Sequence, residues 1–347
     1  MHVKYFVQGF LATAAPTSAQ FTEGTYTAVV GGLSTNTSLL GNYYNYWVNT
    51  ASGLWDLTRS AREPVTTTYT IPCSGSRKSI TIESSRSALV IIDMQNFFLH
   101  PGLSPKATAG RGVVNATVNM IQGFRKAGMK VLWTNWGLDN YDLLTIPPAF
   151  LDGFSNNHSS TILATFGSDM GIVPGTNISA GSKLMRGSWN ARPYGPLYDL
   201  QVEGAASGTD LYFNKSKALG SWLLSNLTND LDRLSGLWGA QTPLGLWLQE
   251  NEITTLFFGG VNADQCILQG MFSLEVRYGS ALLTKIRGFD VVYVEDISAT
   301  TSPYYEFFRY PLPQVVLIHP SATQMVTYNA NLDGFLSNST MILPALA

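Results

Sequence analysis

The sequence of 347 residues predicts an α/β fold, in which a mostly parallel sheet lies between two layers of helices. Two observations support this prediction. Short apolar runs, typical of strands buried on both faces, alternate along the chain with stretches of helical periodicity. Several of these runs also end in a polar or charged residue, as strands do where a parallel sheet carries a binding site. Alternating strands and helices predict a three-layer α/β/α arrangement with a Rossmann-like sheet.

The predicted elements follow one another in a regular order. Strands are predicted at residues 87–93, 129–136, 210–215, 253–258 and 289–296. Helices are predicted at residues 113–127, 244–250, 267–274 and 324–335. Gly128 is placed to cap the first helix. The interval from residue 137 to about residue 205 shows no clear periodicity and is predicted to be rich in loops.

The chain divides into three parts by composition. Residues 1–20 have a basic start, a short apolar stretch and small residues at 17–19, which together resemble a secretory signal peptide. This predicts a secreted protein, with a disordered arm and a cytoplasmic location as the alternatives. Residues 21–85, rich in Thr, Ser, Gly, Asn and Tyr, are predicted to form an extension that wraps the core, and residues 86–347 form the α/β domain.

Composition also excludes some classes of partner. Charged residues make up 13% of the chain, the net charge is −2, and no basic cluster is present, which argues against a nucleic-acid partner. No apolar run approaches the roughly 20 residues that span a bilayer. The two cysteines, Cys73 and Cys266, are too few for a disulfide framework. They could form one disulfide, but the surroundings of Cys266 favour a free thiol.

Three reactive side chains lie at the carboxyl ends of predicted strands. Asp93 ends the first strand, Lys215 ends the third, and Cys266 follows the fourth in the segment GGVNADQC. Because ligands bind outside the carboxyl ends of parallel strands, we expect these side chains to meet. Each residue alone has an ordinary explanation as a turn former, a solvated charge or a packed thiol, but their shared position is harder to explain that way.

The three residue types suit nucleophilic catalysis. The start of a helix and the Lys215 ammonium are expected to lower the pKa of Cys266. Asp93 would take the thiol proton, and the thiolate would attack a carbonyl carbon. Backbone N–H groups near Asn262 and Cys266 would bind the oxyanion. No histidine is needed, and none of the four histidines lies in a metal-binding motif.

These motifs resemble those of the isochorismatase-like cysteine hydrolases. The resemblance rests on SALVIIDMQNFF, on the strand ending in FNK and on FFGGVNADQC, in that order, and it covers residues 87–335. The segment 41–59 is similar to the N-terminal extension of a fungal-type subgroup. The resemblance implies that residues 86–347 form a hydrolase domain of this family's fold.

The resemblance also implies roles for single residues. It makes Asp93, Lys215 and Cys266 a catalytic triad, and it implies a cis peptide bond between Val261 and Asn262. Phe98, Asn135 and Trp136 would line the substrate pocket, although core packing explains the two aromatic residues equally well. The segment after the second strand lacks the histidines with which nicotinamidases of the family bind a metal. We therefore expect neither a metal nor another cofactor, and nicotinamide is disfavoured as a substrate.

The expected function is metal-independent hydrolysis of a small amide at its C–N bond through a thioester intermediate. Two alternatives remain. One is an isochorismatase-type hydrolase of vinyl ethers, and the other is a catalytically silent binding protein on the same fold. The partner is a small molecule in each case. Relatives in the family often assemble, so a homo-oligomer is an open alternative to a monomer.

Three segments depart from the family pattern, at residues 217–232, 276–286 and 307–322. The first separates Lys215 from the RLSGLW segment that would otherwise follow it. We interpret the three either as translated intron sequence or as lid loops that carry specificity. Sequencing the mature transcript distinguishes these interpretations.

Overall fold

The structure is a computed structural model, and it describes residues 37–41, 45–50, 52–146, 148–155, 163–215, 243–267, 288–301 and 322–347. The predicted signal peptide and the segments 217–232 and 276–286 lie outside these residues, as does the segment 307–322 except for its last residue. The predicted helix at 267–274 also lies outside them, apart from Ile267.

The described residues form eleven strands and nine α-helices. The strands are β1 (Thr37–Gly41), β2 (Tyr46–Thr50), β3 (Leu54–Asp56), β4 (Thr68–Pro72), β5 (Ser79–Glu83), β6 (Ser87–Ile92), β7 (Lys130–Trp136), β8 (Asp210–Lys215), β9 (Thr255–Val261), β10 (Asp290–Ala299) and β11 (Phe335–Ser337). The helices are α1 (Asn96–Leu99), α2 (Thr108–Gly112), α3 (Val114–Lys126), α4 (Asn140–Leu143), α5 (Pro148–Gly153), α6 (Pro196–Ser207), α7 (Pro243–Glu250), α8 (Ala322–Asp333) and α9 (Ser339–Ala345).

The main sheet has the strand order β11-β10-β9-β6-β7-β8, and all its neighbouring strands run parallel. The central strand β6 is buried along its whole length, as its unbroken apolar sequence predicts. Alternate residues of β6 point to opposite faces. Leu89 and Ile91 pack with Phe124 of α3, whereas Val90 packs with Leu248 of α7. Helices therefore cover both faces, which confirms the predicted three-layer α/β/α fold.

Two predicted elements differ from the structure. The interval 137–205, predicted as loops, contains α4, α5 and most of α6. Helix α6 is set by its ends: Pro196 supplies a helical φ at the start, and Gly208 adopts a left-handed conformation at the end, with φ of 71°. Its buried side is narrow, so its sequence shows little periodicity. The helix predicted to reach Phe335 ends at Asp333, because Phe335 begins the short strand β11.

The N-terminal residues form a second sheet, with the order β1-β2-β3-β5-β4. Ile80 and Ile82 of β5 belong to the same apolar core as Leu89 of the main sheet. Asp290, the first residue of β10, ties the two sheets together. Its carboxylate accepts two hydrogen bonds of 2.8 Å from the Arg59 guanidinium and one of 2.6 Å from the Trp47 indole.

Candidate active site

Four neighbouring strands of the main sheet end side by side, in the order β9, β6, β7 and β8. Asp93 follows the last residue of β6, Lys215 is the last residue of β8, and Val261 is the last residue of β9. The predicted site residues are therefore brought to one rim of the sheet by parallel pairing. This rim is the place where open α/β sheets bind ligands.

Asp93 and Lys215 form a buried ion pair. The Lys215 ammonium donates a hydrogen bond to Asp93 Oδ2, and neither side chain is exposed. Burial raises the pKa of Asp93, although the Lys215 charge opposes this rise. Burial by itself would lower the pKa of Lys215, but the negative charge of Asp93 reverses the effect and raises it. The pair is therefore an ammonium held against a carboxyl group that takes up a proton more readily than usual.

Asp93 also occupies an unusual backbone conformation, with φ of 53°. Its N–H donates to the Thr134 carbonyl of β7 at 3.1 Å, so the main chain is fixed to the neighbouring strand where it turns. Positive φ is uncommon for residues other than glycine, although Asp tolerates it better than most. The turn directs the Asp93 side chain to Lys215 at the end of β8.

Cys266 lies in one turn of π-helix, Ala263–Ile267, directly after β9. Both Cys266 and Cys73 are free thiols. Hydrogen bonds of the Cys266 thiol with the Asp93 and Lys215 side chains contribute to the pKa values of all three groups, so the thiol lies beside both side chains. The sulfur, the carboxylate and the ammonium therefore come together in one site.

The expected lowering of the Cys266 pKa is wrong for this structure. Although the residue is partly exposed, burial of the thiol raises its pKa to about 12. The Lys215 charge opposes this rise, and the Asp93 charge adds to it. A single helical turn aligns few peptide dipoles, so it offers a weak counterweight to burial. Burial therefore favours the neutral form of the Cys266 thiol.

The peptide bond between Val261 and Asn262 is cis. The Asn262 carbonyl accepts from the N–H groups of Gln265 and Ile267 at 3.1 and 3.2 Å, which closes the turn that carries Cys266. The Asn262 side chain also accepts from the Thr301 N–H at 3.3 Å. These bonds hold the cysteine turn against the end of β10. The assignment of Val261 and Asn262 to an oxyanion hole remains a prediction.

The three predicted pocket residues have different surroundings. Trp136 is buried, its ring lies 5.2 Å from that of Phe166, and Lys215 Nζ lies 5.6 Å from the Trp136 ring centroid. Phe98 is half-buried and packs edge-on against a neighbouring ring. Asn135 is fully buried on β7. Trp136 thus belongs to an aromatic core cluster, and its ring also lies next to the Lys215 ammonium.

Gln95 was missed by the reasoning from sequence. This fully buried residue bridges the end of β7 to the segment before α6. Its amide nitrogen donates to the carbonyls of Trp136 and Ala191 at 2.8 and 2.6 Å, and its amide oxygen accepts from the Trp136 N–H at 2.9 Å. A polar residue two positions after a buried strand was the available signal.

Among the described residues, no group of three or more His, Cys, Asp or Glu side chains is arranged to hold a metal ion. In the same parts of the chain, no helix has both the length and the apolar character needed to cross a membrane.

Several solved structures are similar to this chain. Nicotinamidase PncA from Bacillus subtilis is 17% identical, with a TM-score of 0.45, and the match covers 73% of this chain and 99% of that one. A cysteine hydrolase from Pseudomonas syringae pv. phaseolicola 1448A is 13% identical, with a TM-score of 0.46 and coverage of 76% and 94%. An isochorismatase family protein from Desulfovibrio vulgaris subsp. vulgaris str. Hildenborough is 17% identical, with a TM-score of 0.44 and coverage of 75% and 98%.

The parallel sheet and the cluster of Asp93, Lys215 and Cys266 define an α/β protein with a thiol site at the carboxyl rim. Residues 87–162 match the family model described as Isochorismatase domain, and they include Asp93 and Asn135. Over these residues, the match confirms the resemblance to the isochorismatase family seen in the sequence motifs.

Proposed function

We propose that this chain hydrolyses a small-molecule amide at its C–N bond, with Cys266 as the nucleophile, Asp93 as the general base and acid, and Lys215 as the cation of the site. The observation that supports the proposal is the meeting of the three side chains at one rim, with the Asp93–Lys215 pair buried beside the thiol. The names of the nicotinamidase neighbours are consistent with amide chemistry, but the proposal rests on the site.

The first half of the reaction forms a thioester. Asp93 takes the proton of the Cys266 thiol as the sulfur attacks the carbonyl carbon, because the neutral thiol is a poor nucleophile. The carbonyl oxygen becomes an oxyanion, which N–H groups of the turn near Asn262 would bind. The C–N bond then breaks, Asp93 returns its proton to the nitrogen, and ammonia or an amine leaves.

The second half consumes water. Asp93, again ionised, takes a proton from a water molecule, whose oxygen attacks the thioester carbon. The C–S bond breaks, the sulfur leaves as a thiolate, and the proton on Asp93 returns to it. The sum is an amide plus water giving a carboxylic acid and an amine, which ionise in solution. Lys215 supplies a fixed positive charge near both the base and the sulfur throughout.

Three variants of the full chain test this proposal. Ammonia release is measured on a panel of small primary amides and ureas. Cys266→Ala should abolish turnover, and Asp93→Asn should lower kcat by about 10²- to 10⁴-fold, as expected for loss of a general base. The matched control Cys73→Ala removes the other thiol, which is buried in the apolar core, and should keep the wild-type rate. Equal activity of Cys266→Ala and the wild type would refute the proposal.

The thioester can be trapped independently. Mass spectrometry of acid-quenched enzyme should show the acyl group on the peptide that contains Cys266 and not on the peptide that contains Cys73. Lys215→Met should reduce the trapped fraction, because the developing thiolate loses its counter-charge. Turnover without any acyl group on Cys266 during a pre-steady-state burst would contradict the covalent mechanism.

A second candidate is hydrolysis of a vinyl ether. The raised pKa values of Asp93 and Cys266 favour it, because a protonated Asp93 could protonate the terminal carbon of the double bond without any thiolate. Water would then add to the resulting cation, and the hemiketal would release the alcohol. In this case Cys266→Ala retains most activity towards a vinyl ether. If the wild-type chain hydrolyses neither amides nor vinyl ethers, the remaining interpretation is a catalytically silent binding protein.

A further inference from the structure

A cavity lies at the end of the main sheet that is opposite to Cys266. It adjoins the amino ends of β6, β9 and β10, whereas the reactive side chains follow the carboxyl ends of the strands. The six residues of β6 separate these two ends by about 20 Å. The N-terminal extension borders the cavity on one side, and the end of α7 borders it on the other. Its volume of about 450 Å³ suits a small molecule.

Arg86 is a buried cation in the wall of this cavity. It is 6% exposed, and its guanidinium donates to the carbonyl of Thr58 and, at 2.8 Å, to that of Pro64. In the described parts of the chain, no carboxylate forms a salt bridge with Arg86, and its Nε atom has no hydrogen-bond partner. A buried charge is costly unless an opposite charge accompanies it. Arg86 is therefore complementary to an anionic group of a molecule in the cavity.

Arg59 lines the same cavity, but its hydrogen bonds are already made within the chain. Its guanidinium donates to the Asp290 carboxylate, to the Asn45 side-chain oxygen and to the Leu57 carbonyl, and these bonds use every N–H of the group. The Asp290 carboxylate also balances the Arg59 charge. The unbalanced positive charge beside the cavity therefore belongs to Arg86 and not to Arg59.

Two carboxylates also line the cavity, and solvent reaches both of them. Glu252 is exposed, and Glu63 is partly exposed. Glu63 has a cation nearby, because the Arg62 guanidinium lies 3.7 Å from its carboxylate. Glu252 forms no salt bridge within the described residues. Glu252 is therefore the carboxylate that is available to a positive group of a ligand.

The backbone of Glu252 is also unusual. The residue follows α7 in a left-handed conformation, with φ of 54°. Its N–H donates to the Gln249 carbonyl at 3.1 Å, and the next N–H, that of Ile253, donates to the Leu248 carbonyl at 2.9 Å. Glycine is the usual residue in this helix-ending motif, so a glutamate departs from the local preference. Such departures are expected at functional or strained sites, and this one gives the cavity a carboxylate.

Part of the cavity wall is apolar. Leu248 and Ile253 are buried, and Phe289 is partly exposed. All three side chains belong to or pack against the same core cluster, so the core holds this part of the wall in place. A preformed apolar wall favours a ligand with a small hydrocarbon body in addition to its charged groups.

We propose that this cavity binds a small zwitterionic amino acid with an apolar side chain. The carboxylate of the ligand binds Arg86, its ammonium group binds Glu252, and its side chain packs against the wall that contains Leu248. An inorganic dianion is disfavoured, because Glu63 and Glu252 would repel it. This second site goes beyond the proposed amide hydrolysis and does not depend on it, since the cavity lies at the other end of the sheet.

Matched sets of compounds test the proposal by titration calorimetry of the full chain. Leucine is compared with 4-methylpentanoate, which lacks the ammonium group, and with 3-methylbutylamine, which lacks the carboxylate. Phenylalanine is compared in the same way with 3-phenylpropanoate and 2-phenylethylamine. Each amino acid should bind about 10- to 100-fold more tightly than its amine, the value of a hydrogen bond to a buried charged group. It should bind about 2- to 5-fold more tightly than its carboxylate, because solvent screens a contact with the exposed Glu252.

Three variants assign the binding to this cavity. Glu252→Gln keeps the shape of the side chain but removes its charge, so this variant should bind leucine and 4-methylpentanoate equally. Arg86→Met removes the buried cation and should weaken the binding of both compounds by about 10-fold or more. Glu250→Gln is the matched control, because Glu250 is an exposed carboxylate at the end of α7 that does not line the cavity. It should leave all the affinities unchanged.

The same titrations show whether the proposal fails. If each amine binds as tightly as its amino acid, or if neither amino acid binds, the cavity is not an amino-acid site. Retention of the preference for leucine over 4-methylpentanoate in Glu252→Gln would equally show that the proposal is wrong. Arg86→Met also loses its hydrogen bonds to the extension, so urea denaturation checks that it folds; if it does not, Glu252→Gln decides the question. None of these outcomes depends on whether the chain hydrolyses amides.

Discussion

Replacing Asp93 by Asn should make Cys266 more reactive towards alkylation while it slows amide hydrolysis. In the wild type, the Asp93 charge raises the pKa of Cys266, and the Lys215 charge lowers it. Asn keeps the shape of Asp93 but removes its negative charge. The thiolate then becomes the counter-ion of Lys215 in a buried site, which favours ionisation of Cys266. Asp93 would thus be both the general base of the reaction and the group that disfavours ionisation of Cys266 before the substrate binds.

The size of the effect follows from the charges. With a pKa of about 12, only about one Cys266 thiol in 10⁴ is ionised at pH 8. Removing a charge at hydrogen-bonding distance lowers the pKa of a like-charged neighbour by about 1 to 3. The rate of alkylation of Cys266 at pH 8 should therefore rise by about 10- to 1000-fold in Asp93→Asn. In Lys215→Met it should fall, because the Lys215 charge lowers the pKa of Cys266 in the wild type.

The assay is iodoacetamide labelling followed by peptide mass spectrometry, from pH 7 to pH 11. Cys73 serves as an internal control in every sample. It is buried in the core, and burial alone raises its pKa to about 12, so neither substitution should change its labelling. A variant that unfolds would expose Cys73 and label both thiols. Labelling of Cys73 therefore separates an electrostatic effect from a loss of structure.

If Asp93→Asn labels Cys266 more slowly than the wild type while Cys73 stays protected, the Asp93 charge does not suppress the thiolate. Wild-type labelling of Cys266 that is already complete near pH 7 would restore the original expectation of a lowered pKa. In the present structure the labelling rate should instead rise about tenfold for each pH unit up to about pH 11.

Two other predictions concern the ties that hold the site. Arg59→Met leaves the Asp290 carboxylate buried without its cation and should lower the free energy of unfolding by about 3 to 5 kcal/mol, measured by urea denaturation; a loss below about 1 kcal/mol would show that the ion pair does not fasten the two sheets. Asp264→Ala removes the acceptor that holds Thr300 to the cysteine turn and should reduce kcat about tenfold, whereas Asp264→Asn, which keeps an acceptor, should restore most of it; equal rates in both variants would exclude this role.

The main sheet could be predicted because its strands carry their own signal. Strands β6 and β9 are buried on both faces, so their sequences are unbroken apolar runs. The N-terminal sheet gives no such signal. Its strands have three to five residues. Strand β3 is partly exposed, and β4 is mostly exposed. Ile80 and Ile82 alternate in β5, but two residues are too few to separate a strand from a loop by pattern.

The candidate site, like the fold, could be predicted from the sequence only in part. Asp93 and Lys215 could be placed together because each lies at the carboxyl end of a predicted strand and parallel strands share a rim. The contact of Trp136 with Lys215 could not be foreseen, because it depends on the register of β7 against β8, which no local pattern specifies. Sequence therefore locates the groups that follow the ends of strands, whereas contacts across strands require the structure.

The raised pKa of Cys266 determines how its thiol has to be activated. Position after a strand predicted an activated thiol, but burial, which sequence does not report, raises the pKa to about 12. Ionising this thiol at pH 7 before substrate binds would cost about 7 kcal/mol. A nearby base that accepts the proton during attack avoids the free thiolate altogether. The raised pKa of Asp93 fits this role, because a carboxylate with a raised pKa is a better proton acceptor than one in water. Burial of the pair therefore weakens the resting nucleophile and strengthens the base that activates it.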